Sequence, residues 1–295
     1  MSHLPPHSRI SLSALLTCAL ALVGCGPAGT GTLSVVVSGE EGAERGFPST
    51  ELVDGWSVGF ERYLVSIGDV VLTDDGGEVV RALETPTVVD LHRGSATIAT
   101  LRDVPAGRLG FNFSVTPPTA DAVVGAGVSE ADVAEMREKG LTYLLVGTAT
   151  KPPHAPVRFR LGLAAPVRLS DCTNGVDGTQ GVVIPASSTT EAELTFHVEH
   201  LLYDRLGTHS GVKLRFEAIA AMADESGLVT LEQLAAQPVL SPVGMEGAPL
   251  TDADGSPVIY DPGASSVQSL DGFLVRTVRD QAHLNGGGLC TLGLP

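Results

Sequence analysis

Short stretches in which apolar and polar residues alternate recur over the first 120 positions. Residues 56–60 alternate in this way, and residues 109–115 place Leu, Phe, Phe and Val at every second position. Because neighbouring side chains of a strand point to opposite faces, this period of two predicts half-buried strands. Further strands are expected at residues 32–38, 63–72, 79–83, 87–91 and 97–101. Turn sequences such as Asp74-Asp75-Gly76-Gly77 separate them, so residues 32–120 are predicted to form an antiparallel β-sandwich.

The pattern changes after residue 120. Residues 129–139 form the first helical stretch, which Ser129 can cap and Gly140 can end. Residues 141–150, 157–163, 167–169 and 190–203 are again strand-like. Helical patterns follow at 212–222 and at 266–283, where apolar residues form a stripe. The prediction for residues 121–295 is a second β-rich region with C-terminal helices, which makes the chain mainly β.

The first 24 residues have the composition of a secretory signal peptide. Arg9 precedes an apolar run at 10–23 that is too short to span a membrane, and Leu22-Val23-Gly24-Cys25 follows. This ending resembles the lipobox of bacterial lipoproteins. The resemblance implies cleavage before Cys25, lipidation of its thiol and a membrane anchor, with Gly26 implying the outer membrane of the cell envelope and residues 25–31 a tether. Ordinary cleavage beside an unrelated cysteine is the alternative.

The net charge and the number of cysteines limit the functions that are consistent with the sequence. The chain has 18 basic and 34 acidic residues and a net charge of −16, which argues against a nucleic-acid partner, because such partners require Lys and Arg to neutralise phosphate. After signal removal and lipidation, Cys172 and Cys290 remain. In an oxidising envelope a disulfide between them is the favoured interpretation. Thiolate ligation of a metal and two free thiols are the alternatives.

Two histidines in the strand-like residues 194–203 raise the question of a metal site. On an uninterrupted strand, His197 and His200 would face opposite sides. A shared site therefore requires a bulge, or a strand that ends near Glu199. In that case His197, Glu199 or His200 and a later ligand such as His283 could bind Zn²⁺ or Cu²⁺. The alternative is a pair of histidines that pack and hydrogen-bond at the end of a strand.

Residues 222–233 align with the twelve-residue calcium loop of an EF-hand. Gly227 falls at the sixth position, where the loop turns sharply. Met222 and Gln233 occupy the first and twelfth positions, where calcium requires carboxylates, so calcium binding is not expected. The degenerate EF-hand-like positions are Asp224, Ser226 and Glu232.

Two family resemblances concern longer parts of the chain. WSVGFERYLVSIGDVVL, VVDL and DVPAGRLGFNFSV, within residues 32–117, look like a sandwich domain of bacterial envelope lipoproteins, which implies a transthyretin- or immunoglobulin-like fold and no catalytic residues. HVEHLL at 197–202 and HLNGGGLC at 283–290 resemble uncharacterised lipoproteins of the myxobacterial kind. That resemblance implies that His197, His200 and His283 converge, and it brings no known activity.

The expected function is a non-enzymatic binding or structural module, anchored by lipid and able to hold a transition metal. A metal-dependent enzyme that uses the same histidines is one alternative. An adhesion or assembly protein without a ligand, which associates through exposed strand edges, is the other. The sequence does not identify a protein or small-molecule partner.

Overall fold

A computed structural model describes residues 29–207 and 210–294. The signal peptide, the lipidation site at Cys25 and most of the tether lie outside the described residues. Within this range the chain is mainly β, as predicted from the alternating apolar positions. No helix of the described part is long and apolar enough to cross a membrane.

Fifteen strands are formed by the described residues. They are β1 (Thr30–Ser38), β2 (Ser57–Thr73), β3 (Val79–Leu83), β4 (Thr87–Asp90), β5 (Ala96–Pro105), β6 (Gly107–Val115), β7 (Val123–Val124), β8 (Tyr143–Thr150), β9 (Val157–Leu163), β10 (Val167–Ser170), β11 (Val182–Ile184), β12 (Thr189–Phe196), β13 (Leu228–Thr230), β14 (Ala282–Leu284) and β15 (Thr291–Gly293).

Helices in the same residues are short. The α-helices are α1 (Glu40–Arg45), α2 (Glu130–Glu138), α3 (Glu217–Ala220), α4 (Leu231–Leu234) and α5 (Leu270–Thr277), and 3-10 turns cover Leu91–Arg93, Val198–Leu202 and Val278–Asp280. Ser129 caps α2 as expected, since its side chain accepts a hydrogen bond from the Asp132 amide.

The strands form two sheets. The smaller has the order β14-β12-β1-β5, and the larger follows the path β13-β9-β8-β2-β6-β10-β15, with β3, β4, β7 and β11 paired beside it. The sheets are mixed rather than wholly antiparallel, because β1 pairs with β12, β9 with β13 and β4 with β7 in parallel. A parallel pair needs a long connection, and the chain between β1 and β12 supplies one.

Strands from both sides of residue 120 share both sheets. In the smaller sheet β1 lies between β5 and β12, and in the larger sheet β2 lies between β6 and β8. One core combines side chains from both sheets. Leu33, Tyr63, Phe111 and Phe196 belong to it, and each is 0% exposed. Burying an aromatic or leucine side chain contributes roughly 1.5–3 kcal/mol, so this core holds the two regions together.

The helices predicted in the last third are shorter than expected. Residues 212–216 are not helical: Leu214 bridges to Leu52 and Tyr203, and helix α3 begins only where Asp54 accepts hydrogen bonds from the amides of Phe216 and Glu217. The helix expected over 266–283 is confined to α5 and the 3-10 turn after it. Its last residues instead form β14, because they find hydrogen-bonding partners along β12.

Candidate functional site

The segment that carries two of the site histidines changes conformation at its first histidine. Strand β12 ends at Phe196, and a 3-10 turn covers Val198–Leu202. In this turn Val198, His200, Leu201 and Leu202 are buried, and the three-residue spacing from Val198 to Leu201 turns the chain onto the core. His197 and His200 are three residues apart, a spacing that aligns side chains on a 3-10 turn. Their ring centroids lie 6.1 Å apart with the planes at 20°.

The third histidine reaches the same place from strand β14. His283 pairs with Thr195 in the register of β12 and β14, and the amide of His197 donates to the carbonyl of Gln281 at 2.8 Å. The ring of His283 lies 4.8 Å from that of His197 and 6.2 Å from that of His200, measured between centroids. We call these three side chains the histidine cluster. It joins the segment that carries His197 and His200 to the segment that carries His283, more than 80 positions later in the sequence.

Burial distinguishes the members of the histidine cluster. His200 and His283 are 4% and 5% exposed, whereas the side chain of His197 is 19% exposed. Tyr203 stacks on His200 at a centroid distance of 4.5 Å. The cluster is therefore recessed, with His197 on its more open side.

Two carboxylates hold the ring of His197. Its Nδ1 lies 3.1 Å from Glu40 Oε2 and 3.3 Å from Glu199 Oε1, and its Nε2 lies 3.4 Å from the carbonyl oxygen of Gly286. The hydrogen bond to Glu199 raises the pKa of His197 and outweighs the burial that lowers it. Burial of Glu199 raises its own pKa, but the hydrogen bond from His197 contributes to a pKa below the usual range of a glutamate. The carboxylates therefore fix the ring and favour a cation beside them.

The rings are close together but are not arranged as preformed ligands. Among residues 29–207 and 210–294, no three His, Cys, Asp or Glu side chains are placed around a common point as metal ligands. A zinc–nitrogen bond is about 2.0–2.1 Å long, so the imidazoles would have to rotate to direct three nitrogens at one ion. The predicted ligands His197, His200 and His283 are thus brought together, and Glu199 lies beside them.

The cysteines predicted to pair lie at bonding distance, with Cys172 Sγ and Cys290 Sγ 2.09 Å apart. Cys172 is in the loop after β10, and Cys290 follows β14. Backbone hydrogen bonds accompany this link, with the amide of Thr173 donating to Leu289 and that of Gly175 to Leu284. The pair thus attaches the strand that carries His283 to the larger sheet. It also indicates an oxidising, extracytoplasmic environment.

Two glycines, Gly288 in the C-terminal motif and Gly175 in the loop of Cys172, allow this attachment. A Cβ atom on Gly288 would lie 1.9 Å from the carbonyl oxygen of Thr173, and one on Gly175 would lie 2.3 Å from that of Asn285. Both positions therefore require glycine. Gly288, which follows His283 in the sequence, therefore packs tightly against the loop that carries Cys172.

The EF-hand-like residues are separate from the histidine cluster. Asp224 Oδ1 accepts hydrogen bonds from the amides of Ser226 and Leu228 and from the Ser226 hydroxyl. Gln233 closes a capping box on Thr230 at the start of α4, the helix that also contains Glu232. Asp224 therefore stabilises a turn, and Gln233 the beginning of a helix.

A cavity of about 740 Å³ adjoins the histidine cluster. His200 and Tyr203 line it together with Arg205, Arg276 and Arg279. The sequence reasoning missed this cavity, and it also missed the contact of Glu40 with His197. The three-residue spacing of Arg276 and Arg279 is the one local signal for the cavity that the sequence contains.

Comparison with known proteins adds no relative: no family model, no curated protein and no solved structure matches the chain.

Proposed function

We propose that this protein is an exported, lipid-anchored binding module that holds a transition metal ion, Zn²⁺ or Cu²⁺, at His197, His200 and His283. The observation that supports it most directly is the approach of the three imidazoles, whose ring centroids are 4.8–6.2 Å apart. Three of the chain's eight histidines meet in this one place. Imidazole nitrogen is a ligand that suits both metals.

The surroundings of His197 support the same proposal. A histidine that binds a metal commonly donates its second ring N–H to a carboxylate, which fixes the tautomer and orients the ring. Glu199 and Glu40 occupy this position at Nδ1 of His197. Nε2, which lies 3.4 Å from the carbonyl oxygen of Gly286, is then the nitrogen that would bind the ion, and the metal would replace its proton and its contact with Gly286. Two carboxylates nearby also offset the positive charge of the ion.

Metal binding is tested by elemental analysis of the protein after expression with Zn²⁺ and Cu²⁺ and after removal of loosely bound ions. We expect about one ion per chain, and we expect H197A and H283A each to weaken the affinity by about 100-fold or more, because each removes a ligand. E199Q should weaken it by about 10-fold, the usual effect of losing a carboxylate that orients a ligand.

The control for this experiment is H154A, which removes an imidazole that stacks on Trp56 instead. It should bind metal like the unaltered protein. A metal-free protein under metal-replete expression, or full occupancy in H283A, would contradict the proposal.

A metal-dependent enzyme is the second candidate, and the cavity that reaches His200 favours it. Enzymatic metal sites keep one coordination position open for water or substrate, whereas structural sites are closed. Cobalt-substituted protein distinguishes the two. A visible spectrum that changes when azide is added would support an open position, and an unchanged spectrum would support the non-enzymatic module.

The membrane anchor is proposed from the lipobox-like residues 22–25. Acyl chains contribute roughly 0.8 kcal/mol for each buried CH₂, so several chains on Cys25 would hold the protein firmly at a membrane. We expect the unaltered protein to fractionate with membranes and C25S to lose both the lipid and this fractionation. Radiolabelled palmitate and cell fractionation measure the two effects. A C25S variant that remains with the membranes would refute lipidation at this residue.

A further inference from the structure

The cavity beside the histidine cluster concentrates positive charge in an acidic protein. The whole chain has 18 basic and 34 acidic residues. Three of the basic residues, Arg205, Arg276 and Arg279, line this one cavity. Asp280 is the acidic residue among those that line it. The charged side chains that line the cavity are therefore mostly opposite in sign to the net charge of the protein, which favours anions there.

The arginines are incompletely paired. Arg205 lies 3.7 Å from Asp261, a long ion pair, and neither Arg276 nor Arg279 forms an ion pair with another described residue. The Nε atoms of Arg205 and Arg279 are buried without a hydrogen-bond partner in the described part of the chain. A charged donor that is buried without an acceptor is destabilising. An anion close to these guanidinium groups would offset their charge.

Local structure places two of these side chains together. Arg276 is in the last turn of α5, and Arg279 is in the 3-10 turn that continues it. Residues three apart lie on one side of a helix, so the two guanidinium groups can reach the same ligand. The planar fork of a guanidinium matches the paired oxygens of a carboxylate or phosphate group.

Much of the remaining lining is apolar. Val167, Leu206, Leu292 and Leu294 contribute to the lining. The volume of about 740 Å³ is within the range of small-molecule sites, roughly 300–1,000 Å³. An inorganic anion would occupy only a small part of this space and would leave the leucines without a partner. The cavity therefore fits a ligand with an oxyanion at one end and an apolar body.

We propose that this cavity binds a small organic oxyanion, with its carboxylate or phosphate group held by Arg276 and Arg279 and its apolar part against Val167 and the leucines. The site goes beyond the proposed metal centre and does not require it. His200 and Tyr203 line the cavity beside the histidine cluster, so a bound ligand would lie next to that cluster.

The test uses the fluorescent probe 1-anilinonaphthalene-8-sulfonate, an anion with an apolar body, and the full mature protein freed of metal and then of chelator. We expect saturable binding of about one probe per chain. R276Q/R279Q should weaken binding by about 100-fold, because each lost hydrogen bond between charged groups weakens binding by about tenfold. Benzoate and phenyl phosphate should displace the probe, and benzyl alcohol should not.

The matched control is R102Q/R137Q, which removes two exposed arginines outside the cavity and changes the net charge equally. It should bind the probe like the unaltered protein. Near-ultraviolet circular dichroism checks that the variants are folded. R276Q alone changes an exposed side chain and should weaken binding by about tenfold. Unchanged affinity in R276Q/R279Q or in folded R276Q, equal displacement by benzyl alcohol, or the lack of saturable binding would overturn the proposal. The titration is repeated with zinc-loaded protein, so that binding of the probe in the cavity and binding of metal at the histidine cluster are measured independently.

Discussion

Replacing Cys172 and Cys290 together by alanine should lower the free energy of unfolding by about 4–5 kcal/mol. The two cysteines are 118 positions apart, so their link closes a very long loop. Without it the unfolded chain gains conformational freedom, which in the chain-entropy description is worth about 4.7 kcal/mol for a loop of roughly this length. Domains are stable by only about 5–15 kcal/mol, so this loss is severe.

Urea unfolding followed by the fluorescence of Trp56 measures this effect. Trp56 is the one tryptophan of the chain and is 0% exposed. Reduction of the unaltered protein should produce the same loss as C172A/C290A, and reductant should not change the double variant. Metal affinity should fall as well, because the link attaches the strand of His283 to the larger sheet. A reduced protein with an unchanged unfolding midpoint would contradict the prediction.

The strands could be predicted because apolar and polar residues alternate along them. In β12 the buried apolar residues Ala192, Leu194 and Phe196 lie at every second position, a period that is visible in the sequence. A shared site for His197 and His200 was predicted to require a bulge or a strand that ends near Glu199, and β12 does end at Phe196. The spacing of Val198 from Leu201 already indicated a helical turn there. The prediction of one strand over 190–203 therefore overlooked a change of periodicity that the sequence contains.

The position of His283 could not be derived from local pattern. The apolar stripe of α5 extends in the sequence towards Ala282, which suggested one helix to residue 283. In the structure the chain leaves the helix and joins β12, because the edge of that strand offers hydrogen-bonding partners. Such long-range pairing overrides local helix preference. The cavity has the same origin, since Arg205 and Arg276 come from segments that meet only in the folded chain.

Replacing Arg215 by alanine should lower the free energy of unfolding by about 3–5 kcal/mol. The side chain of Arg215 is 6% exposed, and it lies 2.8 Å from Asp204 and 2.8 Å from Asp252. Removing it leaves the carboxylate of Asp204, itself only 10% exposed, without its charge partner. A buried charge that loses its partner costs far more than the loss of an exposed ion pair.

Lys213 provides a matched control because it pairs with the same carboxylate. Its Nζ lies 2.6 Å from Asp252 Oδ2, but its side chain is 46% exposed. K213A should therefore cost about 1 kcal/mol or less, since water and salt screen such pairs. Unfolding in urea, followed by Trp56 fluorescence, compares the two variants. Equal losses in R215A and K213A would show that burial of Arg215 does not decide its contribution.

The pH dependence of stability gives a second measure of this network. The hydrogen bond from Lys213 and then that from Arg215 lower the pKa of Asp252 below its ordinary 3.8. A carboxylate whose pKa is lower in the folded state stabilises the fold above its unfolded pKa, and this contribution is lost as the pH falls through the folded pKa. Stability of the unaltered protein should therefore fall more steeply below about pH 4 than that of R215A.

Arg215 also connects stability to the histidine cluster. Its amide donates to the carbonyl of Leu202, the last residue of the 3-10 turn that carries His200, and its side chain holds Asp204 just beyond. R215A should therefore weaken metal binding under conditions in which the variant is still folded, whereas K213A should not. Metal affinity measured in both variants well below their unfolding midpoints tests this coupling. Equal affinities would show that the turn keeps its position without Arg215, and that the histidine cluster is held by the strands and the cysteine link alone.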